Sequence, residues 1–105
     1  RRRCLYYHFG WPEENHERQI LNLHIPKLDP VLADQIIRAV GRLRTWGLVK
    51  PPGIAETIDW ARAFASIDAD WSKRWVERTL GCVVKDSLDL ETVRSRIEEL
   101  FSGPP

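Results

Sequence analysis

Pro51-Pro52-Gly53-Ile54-Ala55-Glu56-Thr57-Ile58-Asp59-Trp60-Ala61-Arg62-Ala63-Phe64 is the stretch on which the fold turns. Its two prolines lack N–H groups and cannot continue a preceding helix. Gly53 permits backbone angles that other residues avoid. A new helix is predicted from residue 54. Ile54, Ile58, Ala61 and Ala65 share one face, with Thr57, Ala61 and Phe64 beside them at helical spacing. Glu56 and Asp59 lie early in that helix, where the positive end of its dipole favours acids. By itself the stretch is a proline-led junction between two packed helices.

Upstream of the junction, Leu32, Ile36, Val40 and Leu43 repeat at helical spacing with Ile37 beside them, the clearest amphipathic stripe in the chain. Asp29-Pro30 opens this helix as N-cap and first-turn proline, and Gly47 suits its C-terminal cap. Arg38, Arg42 and Arg44 are placed largely off the stripe. Further upstream, Trp11-Pro12-Glu13-Glu14 begins a helix that carries Ile20 and Leu21 and stops before Pro26. Cys4 to Phe9 is aromatic-rich, ends at Gly10 and is the only convincing strand. Downstream, Asp68 or Asp70 is expected to cap a helix containing Trp71, Trp75, Val76 and Leu80. After a polar break at Asp86 to Asp89, a last helix aligns Leu90, Val93, Ile97, Leu100 and Phe101. The reading is thus one strand followed by helices near 13–24, 30–46, 54–66, 70–82 and 89–101. The predicted core is Ile36, Val40, Leu43, Ile58, Ala61, Phe64, Trp75, Leu80, Val93, Ile97 and Leu100. The strand has no partner, so it is expected either to pair with another copy or to belong to a sheet elsewhere.

The 105 residues are enough for one small domain with a modest core, and 43% hydrophobic content is too high for a disordered chain. A net charge of +1 gives no overall field toward nucleic acid or an anionic membrane. No apolar run approaches the ~20 residues of a membrane helix. Cys4 and Cys82 form no CxxC pair and fit reduced, cytosolic thiols. Met is absent even at position 1, so the chain is expected to be a segment of a longer protein.

Chemical motifs are scarce. There is no GxxxxGK[ST], GxGxxG or GxSxG. His16 and His24 would be ~12 Å apart along one helix, too far to share a metal, and His8 lies in the strand. Asp68/Asp70 and Asp86/Asp89 resemble carboxylate pairs, but capping accounts for all four. Cys82 has no neighbouring base and reads as a packed thiol. Trp71 and Trp75, one turn apart, read as core, and Trp46 and Trp60 as packing around the junction. Trp71-Ser72-Lys73-Arg74-Trp75 interleaves aromatics with cations as a single-strand reader would, but Asp70 and Glu77 dilute its charge and nucleic acid is not favoured. Arg1-Arg2-Arg3 is either a solvated basic terminus or a source of arginine for a phosphate, which its planar fork matches.

Arg2-Arg3-Cys4-Leu5-Tyr6-Tyr7, Trp11-Pro12 with Glu17-Arg18 after it, and Lys50 through Ala63 together resemble the C-terminal part of MoxR-type AAA+ ATPases, in particular their MoxR-like or CbbQ-like bacterial branch. The likeness extends to about Leu90, and the Pro51–Arg62 run is its most specific part. It implies that residues 1–10 end an α/β nucleotide-binding core and that residues 11–105 form the helical lid. It implies an arginine finger at Arg3, with Arg2 the alternate, reaching ATP in the neighbouring subunit of a ring. It also implies that Gly53, Ile54, Glu56 and Thr57 lie near the nucleotide. Where many AAA+ lids carry a sensor arginine, this chain has Ala55, Glu56 and Thr57. ATP and Mg²⁺ would be held by Walker segments of the parent protein, and the segment alone would hydrolyse nothing. A cytoplasmic, chaperone-like ATPase with a von Willebrand A-domain partner is the implied whole. The alternative is a free-standing helical module that binds protein or nucleic acid.

Overall fold

The computed structural model describes residues 14–101. Among them are five α-helices and no strand: α1 (Glu14–His24), α2 (Pro30–Leu43), α3 (Ile54–Ser66), α4 (Lys73–Thr79) and α5 (Ser87–Ser95). Single 3-10 turns follow α4 at Leu80–Cys82 and α5 at Ile97–Leu100. The result is a small, mainly α-helical bundle. The expected strand at 4–9, Arg2, Arg3, the boundary after residue 10 and the start of the first helix at 13 lie outside the described residues.

The best-specified helix is α2. Asp29 is extended at its N-cap, and its Oδ2 accepts a hydrogen bond from the Leu32 amide at 3.1 Å. Pro30 fills the first turn, where its missing N–H would have had no helical acceptor. Leu32, Ala33, Ile36, Ile37, Ala39, Val40 and Leu43 are all buried. The helix ends at Leu43 rather than residue 46 because the chain tightens there. The Thr45 and Trp46 amides reach back three residues, and the Thr45 hydroxyl donates to the Arg42 carbonyl at 2.7 Å. Gly47 then takes φ +72°, a left-handed angle that favours glycine.

At the centre, α3 packs on α1, α2, α4 and the 80–82 turn. Its buried face is Thr57, Trp60, Ala61 and Phe64, rotated from the expected Ile54/Ile58/Ala65 line. Ile58 is half-buried against the core and Ala65 is exposed. Trp60 is fully buried and donates through Nε1 to Thr79 Oγ1 at 2.7 Å, and Thr79 in turn donates to the Trp75 carbonyl at 2.7 Å. The buried indole N–H is therefore satisfied, as a packed tryptophan requires.

Shorter than expected, α4 begins only at Lys73. Asp68 adopts φ +53°, and Ser72, extended at the N-cap, makes no side-chain capping bond, so neither expected aspartate caps it. Trp71 therefore precedes the helix and does not share a face with Trp75. Its ring stacks on Phe64 at 5.8 Å, meets Trp60 edge-on at 5.7 Å and touches Phe101 at 5.5 Å. Trp75 is half-buried, with the guanidinium carbons of Arg74 and Arg78 at 5.1 and 5.6 Å from its ring centroid. At the other end of the chain, α5 starts two residues earlier than expected because Asp86 is its N-cap, with Oδ1 accepting from the Leu88 and Asp89 amides. Of the other predicted core residues, Ile36, Val40, Leu43, Ala61, Phe64, Leu80, Val93, Ile97 and Leu100 are all buried.

Candidate functional site

The Pro51–Thr57 junction is held by three charged side chains from three other parts of the chain. Glu17 of α1 and Arg44, just past α2, form a two-pronged pair, Nη1 to Oε1 at 3.2 Å and Nη2 to Oε2 at 2.8 Å. Their side chains are only 2% and 6% exposed. The remaining edge of the guanidinium donates from Nε to the Pro52 carbonyl at 2.8 Å. One planar fork thus joins α1, the end of α2 and the proline junction. From the opposite side, Asp89 of α5 is 2% exposed and accepts both the Val49 and Lys50 amides, each at 2.8 Å. Asp89 is consequently an anchor for the junction rather than a helix cap.

The start of α3 is closed by its own residues. Gly53 is extended at φ −97°, ψ −166°, so its conformational freedom is not what the junction uses. Glu56 folds back to accept the Gly53 amide at 2.8 Å, a side-chain cap on an otherwise orphan donor. Thr57 is fully buried, and both its amide and its hydroxyl donate to the Gly53 carbonyl, at 3.1 and 3.0 Å. Ile54 is half-buried and Arg62 is exposed. Gly53, Ile54, Glu56 and Thr57 are thus brought together within one turn. Their chemistry is that of an apolar side chain beside a carboxylate. Such a pair can meet a base edge or accept from a hydroxyl or amino group. It does not offer the converging N–H donors that a phosphate needs, because the carboxylate already occupies the positive end of the helix.

Arg2 and Arg3, the expected catalytic pair, lie outside the described residues. His16 and His24 are exposed on α1, and Cys82 is a half-buried free thiol. Among the described residues no group of three His, Cys, Asp or Glu side chains could hold a metal ion, and no helix is long and apolar enough to cross a membrane.

Glu17, Arg44 and Asp89 were not singled out as functional from the sequence, although a signal was there. Glu17 precedes buried Leu21 by four residues, Arg44 follows buried Val40 by four, and Asp89 precedes buried Val93 by four. Each is a charge on an apolar stripe, which demands a buried partner. Arg44 is therefore on the inward side of its element, not off it.

A concave feature lies at the other end of α3. An open groove of about 550 Å³ runs between the α1–α2 turn and the α3–α4 connection. Leu28, Leu32, Phe64 and Trp71 line it, and Asp29, Asp68, Asp70 and Lys27 also border it. No family model, curated protein or solved structure matches the chain.

Proposed function

We propose that residues 11–105 act as the helical lid of a MoxR-like AAA+ ATPase, whose parent protein couples ATP binding and hydrolysis to remodelling or activation of a client. The observation that carries this reading is the Pro51–Arg62 run, the most family-like part of the sequence, together with its placement at a clamped junction. A lid has to move as one body against the core that binds nucleotide. The Glu17–Arg44–Pro52 and Asp89–Val49–Lys50 contacts tie α1, α2, α3 and α5 to the same few residues, a construction suited to transmitting motion without internal slack. Under this proposal Ile54 and Glu56 meet the base or ribose side of the nucleotide. Arg3, or Arg2 in its place, reaches across a subunit boundary in the ring toward the phosphoryl group being transferred. ATP and Mg²⁺ are held by the parent's core, the setting is cytoplasmic, and a von Willebrand A-domain protein is a candidate partner.

The test has two parts. The coding region in frame before Arg1 is expected to encode GxxxxGK[ST]. In the full-length polypeptide, Arg3→Ala combined with Arg2→Ala is expected to cut hydrolysis by ~10³–10⁵-fold, the range for fingers of this type, while ATP binding is retained. Mixing such subunits with subunits unable to bind ATP is expected to restore part of the activity, because a finger acting in trans then faces an intact site. Unchanged hydrolysis in the double variant would refute the assignment. The alternative, a free-standing interaction module, is favoured by one observation, the open groove at the far end of α3. A natural start codon at Arg1 with no preceding ATPase core would select it.

A further inference from the structure

We propose that the groove at the C-terminal end of α3 is a docking site for a basic, apolar peptide segment of a partner protein, one that inserts an apolar side chain between flanking lysines or arginines. The proposal does not depend on the lid assignment. It stands on the shape of the groove and the sign of its charge.

The floor is aromatic and aliphatic. Phe64 is fully buried beneath the groove, and half-buried Trp71 is stacked on it at 5.8 Å between ring centroids. Leu28 and Leu32 continue this floor from the side of α2. A volume of about 550 Å³ is ample for one or two apolar side chains.

The rim is acidic in a chain that is not. Asp29, Asp68 and Asp70 border the groove against the single cation Lys27, whereas the whole chain has a net charge of +1. Several acids elsewhere are matched: Asp34 by Arg18, Asp59 by Lys85, Glu98 by Lys73, Glu99 by Arg96 and Glu17 by Arg44. Asp68 and Asp70 have no side-chain partner among the described residues. Asp29 uses Oδ2 for its cap, and its Oδ1 makes no hydrogen bond among the described residues. A surface that is apolar at its centre and negative at its edge complements a segment with the opposite rim. An acidic segment would meet like charges there, and a purely apolar one would leave the carboxylates without partners.

The test uses fluorescein-labelled Lys-Leu-Lys-Lys-Leu-Lys and its counterpart with glutamate in place of every lysine. Binding is followed by anisotropy on the whole chain and by amide chemical shifts in NMR. The basic peptide is expected to bind saturably and to move the amides of Leu28, Asp29 and residues 68–71, while the acidic one does not bind. Asp68→Asn with Asp70→Asn is expected to weaken binding about 3- to 10-fold, the scale of two exposed charge contacts. Asparagine tolerates the left-handed angle at position 68, so the variant keeps its fold and its circular dichroism. Ala65→Lys, at an exposed position lining the groove, is expected to abolish binding by adding bulk and the wrong sign. Equal binding of both peptides, unchanged affinity in the double aspartate variant, shifts confined to other surfaces, or no saturable binding up to about 1 mM would overturn the proposal. Self-association of the chain that Ala65→Lys abolishes would overturn it in favour of a second copy as occupant.

Discussion

The two ends of α3 are built on opposite plans. At Ile54 the helix begins inside a clamp. Glu56 answers the Gly53 amide, Arg44 answers both Glu17 and the Pro52 carbonyl, and Asp89 answers the two amides before the prolines. At Ser66 the helix ends beside an open groove, where Asp68 and Asp70 face solvent. The same residue types therefore serve two ends. A carboxylate that is buried and fully paired fixes structure, because removing its partner leaves a desolvated charge behind. A carboxylate on a rim contributes little to folding and is left to select what approaches. Sequence position alone does not separate the cases; burial and partners do.

The sharpest way to break this contrast is at Arg44. Arg44→Ala strands Glu17 and leaves the Pro52 carbonyl without its donor, and is expected to destabilise the bundle by ~3–5 kcal/mol in a urea melt. Replacing both members, Glu17→Leu with Arg44→Met, is expected to recover most of that loss, since the uncompensated charge is gone. A loss below ~1 kcal/mol in Arg44→Ala would show that the pair behaves as a surface contact and that the clamp is not one.

Asp89→Asn is the next largest change. Only one acceptor oxygen remains, and the new amide group turns a donor toward a donor at Val49 or Lys50. A cost of about 2 kcal/mol is expected, measured by the same melt.

A third measurement separates a surface pair from the clamp by pH. The hydrogen bond from Arg96 holds the Glu99 carboxyl below its ordinary value of 4.5. A depressed folded-state pKa means that its stabilisation is complete above the unfolded value and is lost as pH falls from about 4.5 through the folded value. Glu99→Gln is therefore expected to lower stability slightly at pH 7, where the contribution is complete, and to converge with the unaltered protein as pH falls through the folded value, which flattens the acid limb. Because Glu99 is exposed, a large loss at neutral pH would place it among the structural charges and blur the contrast.

The smallest effect belongs to the groove. Asp68→Asn with Asp70→Asn is expected to shift stability by no more than about 0.5 kcal/mol, even as it weakens peptide binding. A larger loss would make the rim part of the scaffold.

Much of the bundle was legible from local chemistry. Asp29-Pro30, the Leu32–Leu43 stripe and Gly47 specified α2 because cap, first turn, face and stop all agree. The later helices were harder to bound. Residues 70–72 have ordinary helical spacing, yet Trp71 gains more by joining Phe64 and Phe101 than by continuing a helix, and Ser72 is left extended. Tertiary burial overrode periodicity there. The clamp was hidden for a different reason. Glu17 and Arg44 are 27 residues apart, and Asp89 is 39 and 40 residues from its two amides. Glu17 and Arg44 read as ordinary charges on amphipathic helices, and Asp89 as a cap, until each stripe is followed inward. The groove is formed by two connections that have no common sequence pattern, so only the fold brings them together.

Native-state hydrogen exchange of the junction amides tests the account most directly. Val49, Lys50 and Gly53 lie in or beside a proline-rich connection, where amides ordinarily exchange by local opening. If Glu17, Arg44, Asp89 and Glu56 clamp this connection, these three amides exchange with free energies close to that of global unfolding. In Asp89→Asn, Val49 and Lys50 then lose protection while the core of α2 retains it. Rapid exchange of all three in the unaltered protein, at rates of an exposed loop, would contradict the clamp and with it the single rigid body on which the proposed lid role rests.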